Sequence, residues 1–156
     1  MTTDFPIGAF EHVATPFYYY DTALLRATLA EIKRATADDA AFHVHYAVKA
    51  NANPTLLRII AEAGFGADCV SGGEVKAALA AGFPAEKIVF AGVGKSDWEI
   101  RLGIEAGIHS FNVESMPELA VINDLALRAG RRARVALRIN PNASALCCVV
   151  STRRTS

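Results

Sequence analysis

The run Phe42-His-Val-His-Tyr-Ala-Val-Lys49 ends on a lysine after a stretch in which apolar residues alternate with His43, His45 and Ala47. Neighbouring residues of a strand face opposite sides. Phe42, Val44, Tyr46 and Val48 therefore suit contact with a helical layer, and Lys49 closes a row on the other face. Parallel α/β folds build their active sites at the C-terminal ends of strands. A desolvated ammonium at such a position has a lowered pKa, and its neutral amine can form a Schiff base with an aldehyde cofactor. Taken on geometry alone, the plainer role of a lysine carrying its charge out to solvent is favoured.

Two further charges sit inside apolar runs, Asp68 in Gly66 to Val70 and Arg138 in Ala133 to Ile139. Buried charges are rare unless paired, so both are expected to be largely buried and to belong either to a site or to a structural ion pair. Glu114 lies just past another such run, in a position that suits function. His43 and His45 share a face but lack a third ligand nearby, so no metal site is expected. The stretch Ala91-Gly-Val-Gly-Lys-Ser96 fails the P-loop pattern, which needs glycine where Val89 stands, and fails the dinucleotide fingerprint at Asp97. Its expected role is a tight strand-to-helix turn. Trp98 and Tyr18 to Tyr20 are expected to pack.

The elements that must position these residues are legible as a repeat. Five apolar runs begin at 42, 66, 87, 109 and 133, and each gap of 21 to 24 residues holds one helical pattern. An earlier amphipathic helix over 21–36 opens with Asp21 as N-cap. Asn53-Pro54 marks the next helix start, while Ser71/Glu74, Ser96/Glu99 and Ser115/Glu118 each have capping-box spacing just after an apolar run. Gly64, Gly82, Gly107 and Gly130 stand where left-handed residues close helices. Single-helix crossovers imply parallel strands, which admits an open doubly wound sheet or a (β/α)8 barrel.

Composition narrows the partners. The 156 residues are 52% hydrophobic and carry 16 Lys+Arg against 16 Asp+Glu. That balance supports a buried core and offers no global basic field for nucleic acid or anionic membrane. No uncharged stretch approaches the roughly 18 apolar residues of a membrane span. Cys69, Cys147 and Cys148 match neither a disulfide framework nor paired zinc spacing, and the first eleven residues show no signal peptide, so a cytoplasmic protein is expected.

At this point several segments resemble one family. Tyr46-Ala-Val-Lys-Ala-Asn51, Asp68-Cys-Val-Ser-Gly-Gly-Glu74, Ala81-Gly-Phe-Pro84, Ile88-Val-Phe-Ala-Gly-Val-Gly-Lys95, Phe111-Asn-Val-Glu-Ser115 and Leu137-Arg-Ile-Asn-Pro141 look like the N-terminal half of the diaminopimelate decarboxylases. These are pyridoxal-phosphate enzymes of the alanine-racemase-like barrel class. The resemblance covers about residues 10 to 142 and selects the (β/α)8 barrel, here incomplete with about five βα units and without the C-terminal β domain. It implies that Lys49 holds pyridoxal 5'-phosphate as a Schiff base, that Asp68 is an acidic residue near the cofactor, and that Arg138 supports the glutamate facing the pyridine nitrogen. It also implies a homodimer and the decarboxylation of meso-2,6-diaminopimelate to L-lysine and carbon dioxide.

The resulting division is an N-terminal lead-in over 1–20, a partial barrel over 21–142 and a tail over 143–156 that does not resemble the family. The ring-stacking histidine, the glycine-rich phosphate loop and the Glu-Pro-Gly-Arg segment have no counterpart here. A chain with the lysine but without these is expected to have little or no decarboxylase activity alone. The rival readings are another decarboxylase or racemase of the same barrel class, a pyridoxal-phosphate carrier protein, and a non-catalytic βα module.

Overall fold

The computed structural model describes residues 6–39, 41–139 and 150–151. Five parallel strands follow one another in space as in sequence: β1 (His45–Ala47), β2 (Gly66–Cys69), β3 (Ile88–Phe90), β4 (Ser110–Val113) and β5 (Val135–Arg138). A two-residue strand, β6 (Val150–Ser151), pairs antiparallel with β5. The helices are α1 (Thr22–Ala35), α2 (Pro54–Glu62), α3 (Gly72–Ala80), α4 (Asp97–Ala106) and α5 (Met116–Arg128). The rest of the expected tail lies outside the described residues, as do Cys147 and Cys148.

Strand order decides between the two architectures that periodicity left open. A doubly wound sheet reverses direction at a switch point, whereas here β1 to β5 advance without reversal. Right-handed crossovers in one direction put all helices on one face, as in a barrel wall. The register shows the consequence. Ala67, Cys69, Ile88, Phe90, Phe111 and Val113 share the helix-facing side and are buried there, with the Phe90 and Phe111 ring centroids 6.0 Å apart. Asp68, Val89, Asn112 and Ala136 share the other side. Five parallel strands leave the barrel unclosed.

The expected punctuation largely holds. Asp21 Oδ1 accepts from the amides of Ala23 and Leu24, and Asn53 Oδ1 from those of Thr55 and Leu56, so each helix start finds partners for otherwise orphaned donors. Gly64, Gly82, Gly107 and Gly130 adopt φ of +88°, +94°, +69° and +62°. The capping glutamates differ in detail. Glu74 accepts from the amide of Val70 and Glu118 from that of Glu114, one residue before the serine cap in each case. Only Glu99 reaches back to its own cap, accepting from both the amide and the hydroxyl of Ser96. Its second oxygen accepts from Gly72 at 2.6 Å, tying the start of α4 to the start of α3.

The first strand is shorter than its apolar run. Pairing begins at His45 and ends at Ala47, and Val48–Ala50 forms a single 3-10 turn. Lys49 is therefore presented from a turn rather than from the strand itself.

Candidate active site

The C-terminal ends of the strands enclose a cleft of about 420 Å3, lined among others by Lys49, Asp68, Gly92, Asn112, Glu114 and Arg138. Each residue arrives from a different βα junction. Lys49 comes from the turn after β1, Asp68 from β2, Gly92 from the loop after β3, Glu114 from just past β4 and Arg138 from the end of β5. A parallel sheet with one helix per crossover gathers these junctions at one end.

Lys49 is exposed on the cleft side, while its neighbour Val48 is fully buried. The 3-10 turn that sends Val48 into the core leaves Lys49 outside it. Asp68, paired in register with Ala47, keeps Oδ1 buried without a hydrogen-bond partner. Burial pushes its carboxyl pKa up, against the pull of the Lys49 charge. An anionic oxygen without a donor is costly, and it favours a cation or a donor-bearing group beside it.

Arg138 departs from the expectation of burial. Its side chain is 53% exposed, and its Nη1 donates to both carboxylate oxygens of Glu114 at 3.0 and 3.1 Å. Among the described residues nothing further walls the open face of the sheet there. Glu114, singled out by position alone, is mostly buried and is held by its backbone amide, which donates to Glu118 Oε2.

Behind the Glu114 loop lies a residue that the motif test passed over. Lys95 fails as a P-loop lysine, yet its side chain is 1% exposed. Its ammonium donates to Gly92 O at 2.7 Å, Asn112 O at 2.9 Å and Glu118 Oε1 at 2.6 Å. All three protons are used. The signal in the sequence was a lysine directly before an N-cap serine, with a capping glutamate one repeat later. Gly92 beside it has φ of +88°, and a Cβ there would lie 2.9 Å from Val70 O, so the loop requires glycine.

The histidines lie elsewhere. His43, His45 and His109 line a second hollow of about 330 Å3 at the N-terminal strand ends, with Glu86 and Lys87. Burial lowers the His45 pKa. Among the described residues no group of three His, Cys, Asp or Glu could hold a metal ion. Tyr18 to Tyr20 and Trp98 pack from exposed positions, Tyr18 stacked on Tyr20 and Tyr19 edge-on to Phe10. Trp98 is exposed with Lys76 over its ring at 4.8 Å, and Tyr20 is exposed with its hydroxyl bonded to Asn51. Among the described residues no helix is long and apolar enough to cross a membrane.

Residues 23–156 match the family described as pyridoxal-dependent decarboxylase, pyridoxal binding domain. The diaminopimelate decarboxylase of Bacteroides thetaiotaomicron is 63% identical over 141 residues, covering 90% of this chain and 36% of that protein. That of Aquifex aeolicus is 44% identical, covering 82% of this chain and 30% of its own length. The crystal structure of diaminopimelate decarboxylase from Helicobacter pylori complexed with L-lysine superposes with a TM-score of 0.78 at 41% identity, over 87% of this chain and 34% of that one. The chain thus spans about a third of the length of the relatives it matches.

Proposed function

Since the chain belongs to the pyridoxal-binding domain family of the pyridoxal-dependent decarboxylases, we propose that Lys49 binds the aldehyde of pyridoxal 5'-phosphate and that Asp68 and Arg138 flank it. The reaction served is the decarboxylation of meso-2,6-diaminopimelate to L-lysine and carbon dioxide. It is assigned to a protein of the relatives' full length, acting as a cytoplasmic homodimer. The 156 residues alone are not expected to turn over substrate.

One observation carries this reading: an exposed amine and a buried, donor-less carboxylate oxygen line the same strand-end cleft. The residues fit the group. Lys49 supplies the nucleophilic amine, Asp68 supplies an acceptor beside it, and Arg138 supplies a cation already oriented by Glu114. The diaminopimelate decarboxylases matched at up to 63% identity and the L-lysine held by the Helicobacter pylori enzyme support the choice of substrate.

When bound, the cofactor would supply the electron sink for the pair left on the substrate Cα as carbon dioxide departs. The chain's own residues have separate tasks. Lys49 would hold an aldehyde only as the neutral amine, and Asp68, whose carboxyl pKa burial raises, would be the group beside it able to take up the proton. The Lys49 amine, exposed in the cleft, would also be the group suited to carry a proton to the substrate Cα. Arg138, gripped through both oxygens of Glu114, holds its charge at the cleft rim without needing to be ordered on binding.

The test is to add pyridoxal phosphate to the purified chain, record the visible absorbance of the adduct, reduce with borohydride and map the modified peptide. A single pyridoxyl group on Lys49, absent in Lys49→Ala, is the expected result. Equal labelling of several lysines, or none, overturns the assignment.

A further inference from the structure

Asn51 uses every polar group it has. Its amide donates to Val48 O at 3.1 Å, closing the turn that bears Lys49. Its carbonyl accepts from the Tyr46 hydroxyl at 3.1 Å, its Oδ1 accepts from the Asn53 amide at 2.9 Å, and its Nδ2 donates to the Tyr20 hydroxyl at 2.9 Å. The backbone does not demand asparagine here, because φ of −164° and ψ of 115° are extended values open to any residue. What asparagine contributes is its side chain.

These bonds surround one position. Val48, before Lys49, is fully buried and anchors the turn to the core. Asn51, after it, is tied to the strand through Tyr46, to the start of α2 through Asn53, and to the N-terminal segment through Tyr20. Lys49 itself is exposed between the two anchors. A long flexible side chain cannot be held by its own rotamers, so the placement of its amine depends on how rigidly its backbone is held.

We propose that Asn51, braced by Tyr46 and Tyr20, is a positioning residue that holds the turn so that the Lys49 amine stays in the cleft beside Asp68. This rests on the reading of Lys49 as the cofactor-binding amine, and it adds a route by which the N-terminal segment reaches the site. The Tyr46 phenol is protonated at neutral pH, as a donor to the Asn51 carbonyl must be, and burial raises its pKa further.

Three variants of the whole chain test it: Asn51→Ala, Tyr46→Phe and Tyr20→Phe. The first readout needs no cofactor and follows the Asp68 carboxyl by NMR titration. Loss of the brace lets the Lys49 charge move away, so the Asp68 titration moves further up. The second readout is the pyridoxal-phosphate concentration giving half-maximal borohydride trapping on Lys49. It should rise about ten-fold in Asn51→Ala and about three-fold in each tyrosine variant, in keeping with the cost of small misplacements at reacting groups. The double variant Tyr20→Phe/Asn51→Ala should be no worse than Asn51→Ala, because the shared bond is already lost.

Folded variants whose Asp68 titration and trapping both match wild type overturn the proposal, and so does a shifted titration with unchanged trapping. If Asn51→Ala fails to fold, the two tyrosine variants decide, since each removes one hydroxyl only. If wild type itself traps no cofactor, the reading of Lys49 fails, and the titration alone still decides whether Asn51 places the amine.

Discussion

The Lys95 ammonium lies 2.6 Å from Glu118 Oε1, with side-chain exposures of 1% and 11%, and the other Glu118 oxygen accepts from the amide of Glu114. A buried ion pair thus stands directly behind the loop whose carboxylate holds Arg138. Lys95 also lies 5.4 Å from the centroid of the Phe90 ring, so its stem and charge both contact the core.

Removing one partner of a buried pair leaves an uncompensated charge. Lys95→Met should therefore cost about 3–5 kcal/mol in urea unfolding. The double variant Lys95→Met/Glu118→Gln should recover a large part of that loss, because no charge is stranded. A Lys95→Met protein as stable as wild type would show that the pair contributes nothing.

Gly103 in α4 faces the Phe111 ring, and a Cβ built there meets Phe111 Cζ at 2.6 Å. Alanine normally gains about 1 kcal/mol over glycine in a helix interior. Here the ring is buried, and the Cβ would also meet Ile108 Cδ1 at 3.0 Å, so overpacking at about 1–3 kcal/mol should win. Gly103→Ala is expected to lower stability in chemical denaturation.

Asp68 provides a pH dependence with a definite sign. Its folded pKa is raised by burial, so the folded chain binds its proton more tightly than the unfolded chain. Stability from this group is present below the ordinary carboxylate range and is lost as pH rises through the raised folded value. Asp68→Asn should therefore be more stable than wild type at neutral pH, with the gain shrinking as the solution is acidified. A gain that persists unchanged at low pH would contradict this origin. Lys49→Met, removing the charge that opposes the shift, should move the Asp68 titration further up.

Cys69 is fully buried on the helix-facing side of β2, and burial pushes its thiol up to about 12. The thiolate is the reactive form. Iodoacetamide at pH 8 should leave the Cys69 peptide unmodified in the native chain and label it in denaturant, as read by mass spectrometry. Rapid labelling of the native chain would show that β2 opens.

Much of this arrangement was legible in residue order. Asp21, Asn53, Ser71 and Ser115 announce helix starts because a short polar side chain accepts from amides two or three residues on, a purely local bond. The four helix-closing glycines announce the ends for an equally local reason. The alternation through Tyr46, Val48 and Lys49 placed the lysine opposite the core side, even though the strand proper stops at Ala47.

What local pattern could not supply was the partner of each charge. Arg138 was expected in the core and stands half in solvent against Glu114, 24 residues away in the chain. Lys95 was dismissed with a failed motif and turned out to be the most deeply buried cation of the site region, 23 residues from Glu118. Tyr20 and Asn51, 31 residues apart, share no pattern at all.

By itself, then, the amino-acid order determined the βα repeat, its caps and the side of the sheet on which Lys49 emerges, because each depends on bonds and alternation within a few residues. Only the tertiary structure decided strand order, the cleft, the burial of the Asp68 oxygen and the pairings of Lys95, Glu114 and Arg138. Those depend on which junctions the crossovers bring together, and the energy of a charge is set by the neighbours and solvent it meets there.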